Sequence, residues 1–155
     1  MTIWILDTNQ VSALLEGNNT IKSKVTQVSP DNIAITVVTV QEIFNGWVDK
    51  INNTSESKDL VRLYTKLSIN LDFFKAVRIL NFDKKASNIY ENLIKENQEL
   101  NKKRLQKDLR IAAITLSVNG VMVTANKRDF SLIPDLVIEN WTDPSILLTT
   151  RVFLD

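Results

Sequence analysis

The sequence predicts a single α/β domain with a mainly parallel central β-sheet flanked by helices. Short apolar runs at residues 3–6, 33–36, 121–124 and 136–138, with a weaker one at 77–80, read as strands. Three of these runs are near-continuous rather than alternating, as expected of strands covered on both faces. Between them the apolar spacing turns helical, and strands that alternate with helices argue for a parallel sheet. At 155 residues, 44% hydrophobic and 24% charged, the chain has the size and make-up of one globular domain with a substantial core.

The elements follow in order. The first strand, IWIL, stops abruptly at Asp7-Thr8-Asn9, and a helical pattern runs from about Gln10 to Glu16. A second covers residues 21–28. The strand at 33–36 leads into TVVTVQEIFNGW, whose helix is expected from about Thr39 to Ile51. The polar stretch NNTSES, 52–57, reads as a turn opening a long helix to about Phe74. Asp83 is placed to cap a helix reaching about Gln98. The stretch from Lys107 to Asn119 is helical and apolar on most faces, with Gly120 where a glycine would end it. The strand at 121–123 then breaks into Thr124, Asn126, Lys127, Arg128 and Asp129. Residues 142–155, after Trp141, form a mixed polar and apolar tail. No repeat, internal linker or low-complexity segment interrupts this order.

Composition excludes several chemistries. With no histidine and no cysteine, the chain has no Ser-His-Asp triad, Cys-His pair, HExxH zinc site or disulfide. Only 3 glycines are present, and neither GxGxxG nor a phosphate-binding glycine loop occurs. An enzyme built from this sequence must work through carboxylates, lysines or a bound metal. The net charge of +1 gives no global attraction for nucleic acid, so such binding needs a local basic patch. No apolar run approaches the roughly 20 residues that span a bilayer. The opening MTIWILD lacks a basic leader and points to a cytoplasmic protein with no membrane association.

Acids recur where an open α/β sheet binds ligands, beyond the carboxyl ends of its strands. Asp7 ends the first strand, and Asn126 and Asp129 follow a later one. Glu42 lies just after the strand at 33–36, and Asp108 opens the apolar helix DLRIAAITL. Each acid also has a local structural role open to it. Asp7 could cap the next helix, and Thr39-Val-Gln-Glu42 fits a capping box with Glu42 bonding back to the Thr39 amide. Asp108 could complement the helix dipole. Two basic stretches flank the acids: Lys127-Arg128 beside Asp129, and Lys102-Lys103-Arg104 with Lys107 before Asp108. Either could contact the phosphates of a nucleic acid or form a solvated surface.

The ordered stretches LDTNQVSALL, TVVTVQEIFNGW, DLRIAA and VTANKRDFSLIPDLVIENW resemble the acidic motifs of the PIN-domain nucleases. Among these they look most like the bacterial VapC-type toxin ribonucleases, and NFDKKASNIYENL resembles the segment preceding the third acid. The resemblance covers residues 1–141, leaving 142–155 as a tail. It implies a PIN-like domain in which Asp7, Glu42, Asp108 and Asp129 bind Mg²⁺ or Mn²⁺ and cleave RNA as an endoribonuclease. Thr8, Asn9, Thr124 and Asn126 would orient those ligands or the substrate, and Lys127 and Arg128 would meet RNA. It further implies the toxin role in a type II toxin–antitoxin pair, with a cognate antitoxin and a homodimer. Trp47, Tyr64, Phe73 and Phe74 are available as apolar surface for that dimer. This sequence departs from the pattern at KRLQKDL, which lacks the glycine often found before the third acid, and in its longer tail.

The alternatives fit less well. A haloacid-dehalogenase-type phosphotransferase wants an acid where Asn9 stands, and a receiver domain wants an acidic pair before the first helix. A catalytically idle PIN-like module binding RNA or protein would not need all four acids.

Overall fold

The computed structural model describes residues 1–145. Five strands form one sheet: β1 (Trp4–Leu6), β2 (Ile33–Thr36), β3 (Arg78–Leu80), β4 (Val121–Val123) and β5 (Val137–Glu139). Their order is β3-β2-β1-β4-β5, and every pairing is parallel. Among the described residues seven α-helices surround the sheet: α1 (Thr8–Leu15), α2 (Asn19–Gln27), α3 (Val37–Asn52), α4 (Ser57–Ala76), α5 (Lys84–Glu96), α6 (Gln106–Ser117) and the single-turn α7 (Lys127–Phe130). None is long and apolar enough to cross a membrane.

Successive side chains of a strand point to opposite faces, so each central strand contributes to two cores. Ile5, Ala34 and Met122 pack on one face with Leu93 of α5 and Ile111, Ala112 and Ile114 of α6. Leu6, Ile33, Ile35 and Val123 pack on the other with Val11, Ile21, Ile43, Phe74 and Trp141. Covered on both faces, these strands have no solvent side to alternate toward, and this accounts for their continuous apolar runs.

The chain winds outward from β1 through β2 to β3, then crosses back to lay β4 on the other flank of β1. The order therefore reverses beside β1, where the loops leaving two adjacent strands diverge and open a crevice at their carboxyl ends. Asp7 follows β1 and Thr124 follows β4, so the fold sets their side chains at that crevice.

Two sequence expectations need correction. Helix α3 begins at Val37 rather than near Thr39, directly after β2. Thr36 is its cap, with Oγ1 accepting from the Thr39 amide at 3.2 Å. Glu42 thus lies in the second turn and does not close a capping box on Thr39. The run Val37-Val38-Thr39-Val40 has strand propensity, but the cap and the burial of Val38 and Thr39 override it. Gly120 does not end α6 through a left-handed conformation either; Asn119 takes that role, with φ 51°. A Cβ at Gly120 would run into the Ile5 side chain and lie 3.0 Å from the Ile3 carbonyl oxygen. The glycine is there so that the chain can pass close to β1.

Asp83 caps α5 as expected, accepting from the Ala86 amide at 2.9 Å. At the carboxyl end, Thr142 is tied to the fold: its hydroxyl stands 3.2 Å from Gln10 Nε2. Of the expected tail, residues 146–155 lie outside the described residues.

Gly120→Ala should destabilise the protein by about 1–3 kcal/mol, the usual cost of forcing a methyl into a packed core. Urea unfolding measures it, and an unchanged midpoint would mean that Ile5 moves aside freely.

Candidate active site

Asp7 anchors the site. Its amide continues the β1–β4 ladder, donating to the Val123 carbonyl at 2.8 Å. The residue is 5% exposed. Oδ1 accepts from the Thr8 amide at 2.8 Å, capping α1. Oδ2 accepts from Thr124 Oγ1 at 2.8 Å and from Asn9 Nδ2 at 3.1 Å. Burial pushes the Asp7 carboxyl above the usual range, and these three hydrogen bonds oppose the rise. The capping role and the site role expected of Asp7 therefore use different oxygens of one carboxylate.

Thr124 and Asn9 fasten the two strand ends together. Thr124 Oγ1 also accepts from the Asn126 amide at 3.0 Å. Asn9 Oδ1 accepts from the Ala125 amide at 3.0 Å, so the loop after β4 hangs on a side chain that follows β1.

Glu42 reaches the same crevice from α3. Its Oε1 accepts from Thr8 Oγ1 at 3.1 Å, and the Thr8 hydroxyl also lies 3.5 Å from that of Thr39. Burial raises its carboxyl, with the negative charge of Asp7 adding to the rise; the Thr8 hydrogen bond and Lys107 oppose it.

Asp108 stands in the first turn of α6. Among the described residues its carboxylate accepts no hydrogen bond from the protein. Burial, and then the charges of Asp7, Glu42 and Asp129 in that order, push it up to about 7, with Arg104 pulling the other way. All four sequence-predicted acids are thus brought into one electrostatic neighbourhood centred on Asp108.

Asp129, in α7, differs from the others. Arg104 Nη1 donates to its Oδ1 at 3.0 Å and Asn126 Nδ2 to its Oδ2 at 3.3 Å. The Arg104 hydrogen bond holds its carboxyl below the usual range. Lys127 and Arg128 are exposed on the same short helix.

Among the described residues no three acidic side chains stand close enough to form a ready-made metal cage. The donor set still suits a hard cation. It is all oxygen, and Mg²⁺ commonly keeps several waters while using only one or two carboxylates. The charge crowding that suppresses Asp108 ionisation is what a divalent cation would relieve.

Sequence reasoning missed Gln10. It is fully buried, accepting from the Trp141 amide through Oε1 at 3.1 Å and donating through Nε2 to Asn9 Oδ1 at 3.0 Å. It thereby links the chain after β5 to the side chain that spans the crevice. The polar ENW stretch was the available signal, but nothing local pointed from it to residue 10. Beside the acids, Thr8, Glu42, Trp47, Lys50 and Asn70 help line a cavity of about 270 Å³ between α1, α3 and α4.

No protein-family model matches the sequence. Ribonuclease VapC2 of Rickettsia felis is 31% identical over 144 residues, covering 90% of this chain and 98% of its own length. The chain belongs to the VapC ribonuclease family. Ribonuclease VapC1 of Haemophilus influenzae strain R2866 is 28% identical over 142 residues, again covering 90% of this chain and 98% of its own. Among solved structures, VapBC2 of Rickettsia felis bound to a promoter DNA fragment superposes with a TM-score of 0.70 at 26% identity, covering 90% of this chain and 99% of that one. DNA-bound VapBC of Salmonella typhimurium gives 0.74 at 21% identity, covering 91% and 99%, a likeness of fold. The VapC assignment agrees with the five-stranded parallel sheet and with the PIN-domain class the sequence resembles.

The raised Asp108 value makes a prediction for the metal-free protein. Between the ordinary carboxyl value of 3.8 and about 7, folded Asp108 holds a proton that the unfolded chain has lost. Its contribution is thus fully present below 3.8 and is lost as pH rises to about 7. Asp108→Asn should therefore stabilise the protein in EDTA more at pH 8 than at pH 5. Urea unfolding at the two pH values decides it; an equal effect at both would mean that Asp108 ionises normally.

Proposed function

We propose that this chain is a metal-dependent endoribonuclease and the toxin of a toxin–antitoxin pair. The observation that carries the reading is the convergence of negative charge on Asp108 at the crevice between β1 and β4. A structural cluster gains nothing from such repulsion, whereas a cation site needs it. The relatives named as ribonucleases, and the solved VapBC complexes of like fold, support the substrate class and the partner.

In this reading Asp7 and Asp108 hold Mg²⁺ or Mn²⁺, with Glu42 completing the site. A cation held there would supply Lewis-acid polarisation of the phosphoryl oxygen and a lowered pKa for a water bound to it. Glu42 spends Oε1 on the Thr8 hydroxyl, leaving Oε2 to orient that water and accept its proton. Burial makes its carboxyl more basic than an ordinary carboxylate, which suits a general base. Thr124, Asn9 and Thr8 keep the carboxylates of Asp7 and Glu42 from rotating. Lys127 and Arg128 supply non-specific phosphate contacts at the rim.

The cognate antitoxin, the homodimer and the cytoplasm belong to the same proposal. Of the apolar residues named for a dimer surface, Tyr64 is 56% exposed while Phe74 is buried in the core. Val61, Ile69 and Leu71 are the further exposed apolar residues of α4.

Purified protein incubated with RNA should cleave it with Mg²⁺ or Mn²⁺ and stop in EDTA. Glu42→Gln should lower the metal-dependent rate by about 10²-fold or more, typical for loss of a proton-transfer group or metal contact. The melting temperature in EDTA should stay unchanged or rise slightly, because the substitution removes a repelling charge. Expression of the wild type should arrest growth, and the variant should not. Full cleavage by a well-folded Glu42→Gln protein removes Glu42 from the mechanism. Absence of cleavage by the wild type leaves a binding module.

A further inference from the structure

We infer that Arg104 grips the RNA phosphate at this site, and that Asp129 is its positioning residue rather than a fourth metal ligand. The inference rests on the ribonuclease reading and deepens it.

Arg104 lies in a 3-10 turn, Lys103–Leu105, leading into α6. Leu105 is 2% exposed and pins the turn to the core. The Arg104 side chain is 54% exposed and stands among the acids, where its charge acts on both Asp108 and Asp129. A guanidinium has five N–H donors in a rigid planar fork. One is used, from Nη1 to Asp129 Oδ1. Among the described residues the others have no protein acceptor. A guanidinium serving only as a structural staple would be expected to dock both prongs on the carboxylate. Here one prong is tethered and the rest of the fork remains free at the edge of the acidic crevice.

Asp129 is built as the tether. Arg104 takes Oδ1 and Asn126 takes Oδ2. The backbone N–H of Asn126 donates to Thr124 Oγ1, which in turn donates to Asp7 Oδ2. An unbroken chain of hydrogen bonds thus sets the guanidinium at a defined place relative to Asp7. A divalent cation on Asp129 would have to sit against that guanidinium, and like charges disfavour it. The scissile phosphate carries the opposite charge, and its oxygens match the free fork. Arg104 is therefore placed to neutralise the phosphate at the Asp129 edge of the acidic crevice. The departure at KRLQKDL gains a function: the basic turn replaces an expected glycine with the residue that meets the substrate.

The test separates metal binding from RNA binding. Binding of a labelled single-stranded RNA is followed by anisotropy in EDTA across a salt series, and Mn²⁺ binding by calorimetry without RNA. Arg104→Gln should weaken RNA binding about tenfold and flatten the slope of log affinity against log salt by about 0.7, the value of one phosphate contact to a single strand. Arg104→Lys should restore the slope, because it keeps the charge, but not the full affinity, because it lacks the fork. Asp129→Asn should also weaken RNA binding while Mn²⁺ affinity stays within about threefold, short of the roughly 10- to 100-fold that loss of even an outer partner commonly costs a metal site.

A wild-type salt slope in Arg104→Gln, or a tenfold or greater loss of Mn²⁺ affinity in Asp129→Asn, overturns the inference. If Arg104→Gln fails to fold, the Arg104→Lys and Asp129→Asn arms decide. A wild type that shows this binding pattern yet cleaves no RNA sinks the ribonuclease reading and leaves the phosphate grip standing. A wild type that binds no RNA sinks the grip.

Discussion

Mutual repulsion among carboxylates held at the carboxyl edge of one sheet is the constraint on which this protein's site depends. Asp7 is placed by β1, Glu42 by α3 and Asp108 by α6, and each reaches the crevice from a different element. Burial raises all three carboxyls, and the charge of Asp7 adds to the rise at Glu42, as those of Asp7 and Glu42 do at Asp108. Arg104 and Lys107 offset this charge only in part and at a distance, whereas at Asp129 the arginine pairs directly. The contrast divides the four acids. Three share a field that bases offset only in part, and the fourth is directly paired.

Everything around that charge is built to hold it in place. Thr124, Asn9 and Thr8 are neutral, short and hydrogen-bonded to the acids or to one another. Neutral donors stabilise a carboxylate without cancelling its charge, and so leave it available to a metal. Thr36 caps α3 and thereby sets the register that brings Glu42 to Thr8. Gln10 braces the crevice from beneath, joining Asn9 to the chain at Trp141. Among the described residues no buried side-chain polar atom lacks a hydrogen-bond partner. Asp108, half-buried, keeps an open carboxylate beside this satisfied network.

Much of this was legible in the sequence because strand ends and helix starts leave local marks. The apolar runs around Ile5, Ala34 and Met122 reveal strands buried on both faces, and a polar break after such a run marks the ligand edge of a parallel sheet. Helix α6 is recognisable from its nearly continuous apolar surface, and Asp108 from its place at the head of it. What escaped was long-range. The partner of Glu42 is Thr8, 34 residues away, so the nearby Thr39 offered a false capping box. Val37 and Val38 look like strand residues because branching at Cβ favours strands, and only the Thr36 cap and packing make them helical. The pairing of Arg104 with Asp129 spans 25 residues and cannot be read from either basic stretch alone. Gly120 was noticed for the wrong reason: its need is the closeness of β1 rather than a backbone angle.

Asp108 sits in an acidic field that Arg104 offsets only in part, and its own titration tests that most directly. With the side-chain carboxyl carbons labelled, NMR in the absence of metal should show Asp108 titrating at about 7. Its midpoint should fall in Asp7→Asn and in Glu42→Gln, because each substitution removes a charge that opposes ionisation, and fall again in the wild type when Mg²⁺ is added. An Asp108 that titrates near 3.8 in the metal-free wild type, unmoved by either substitution, would contradict the account.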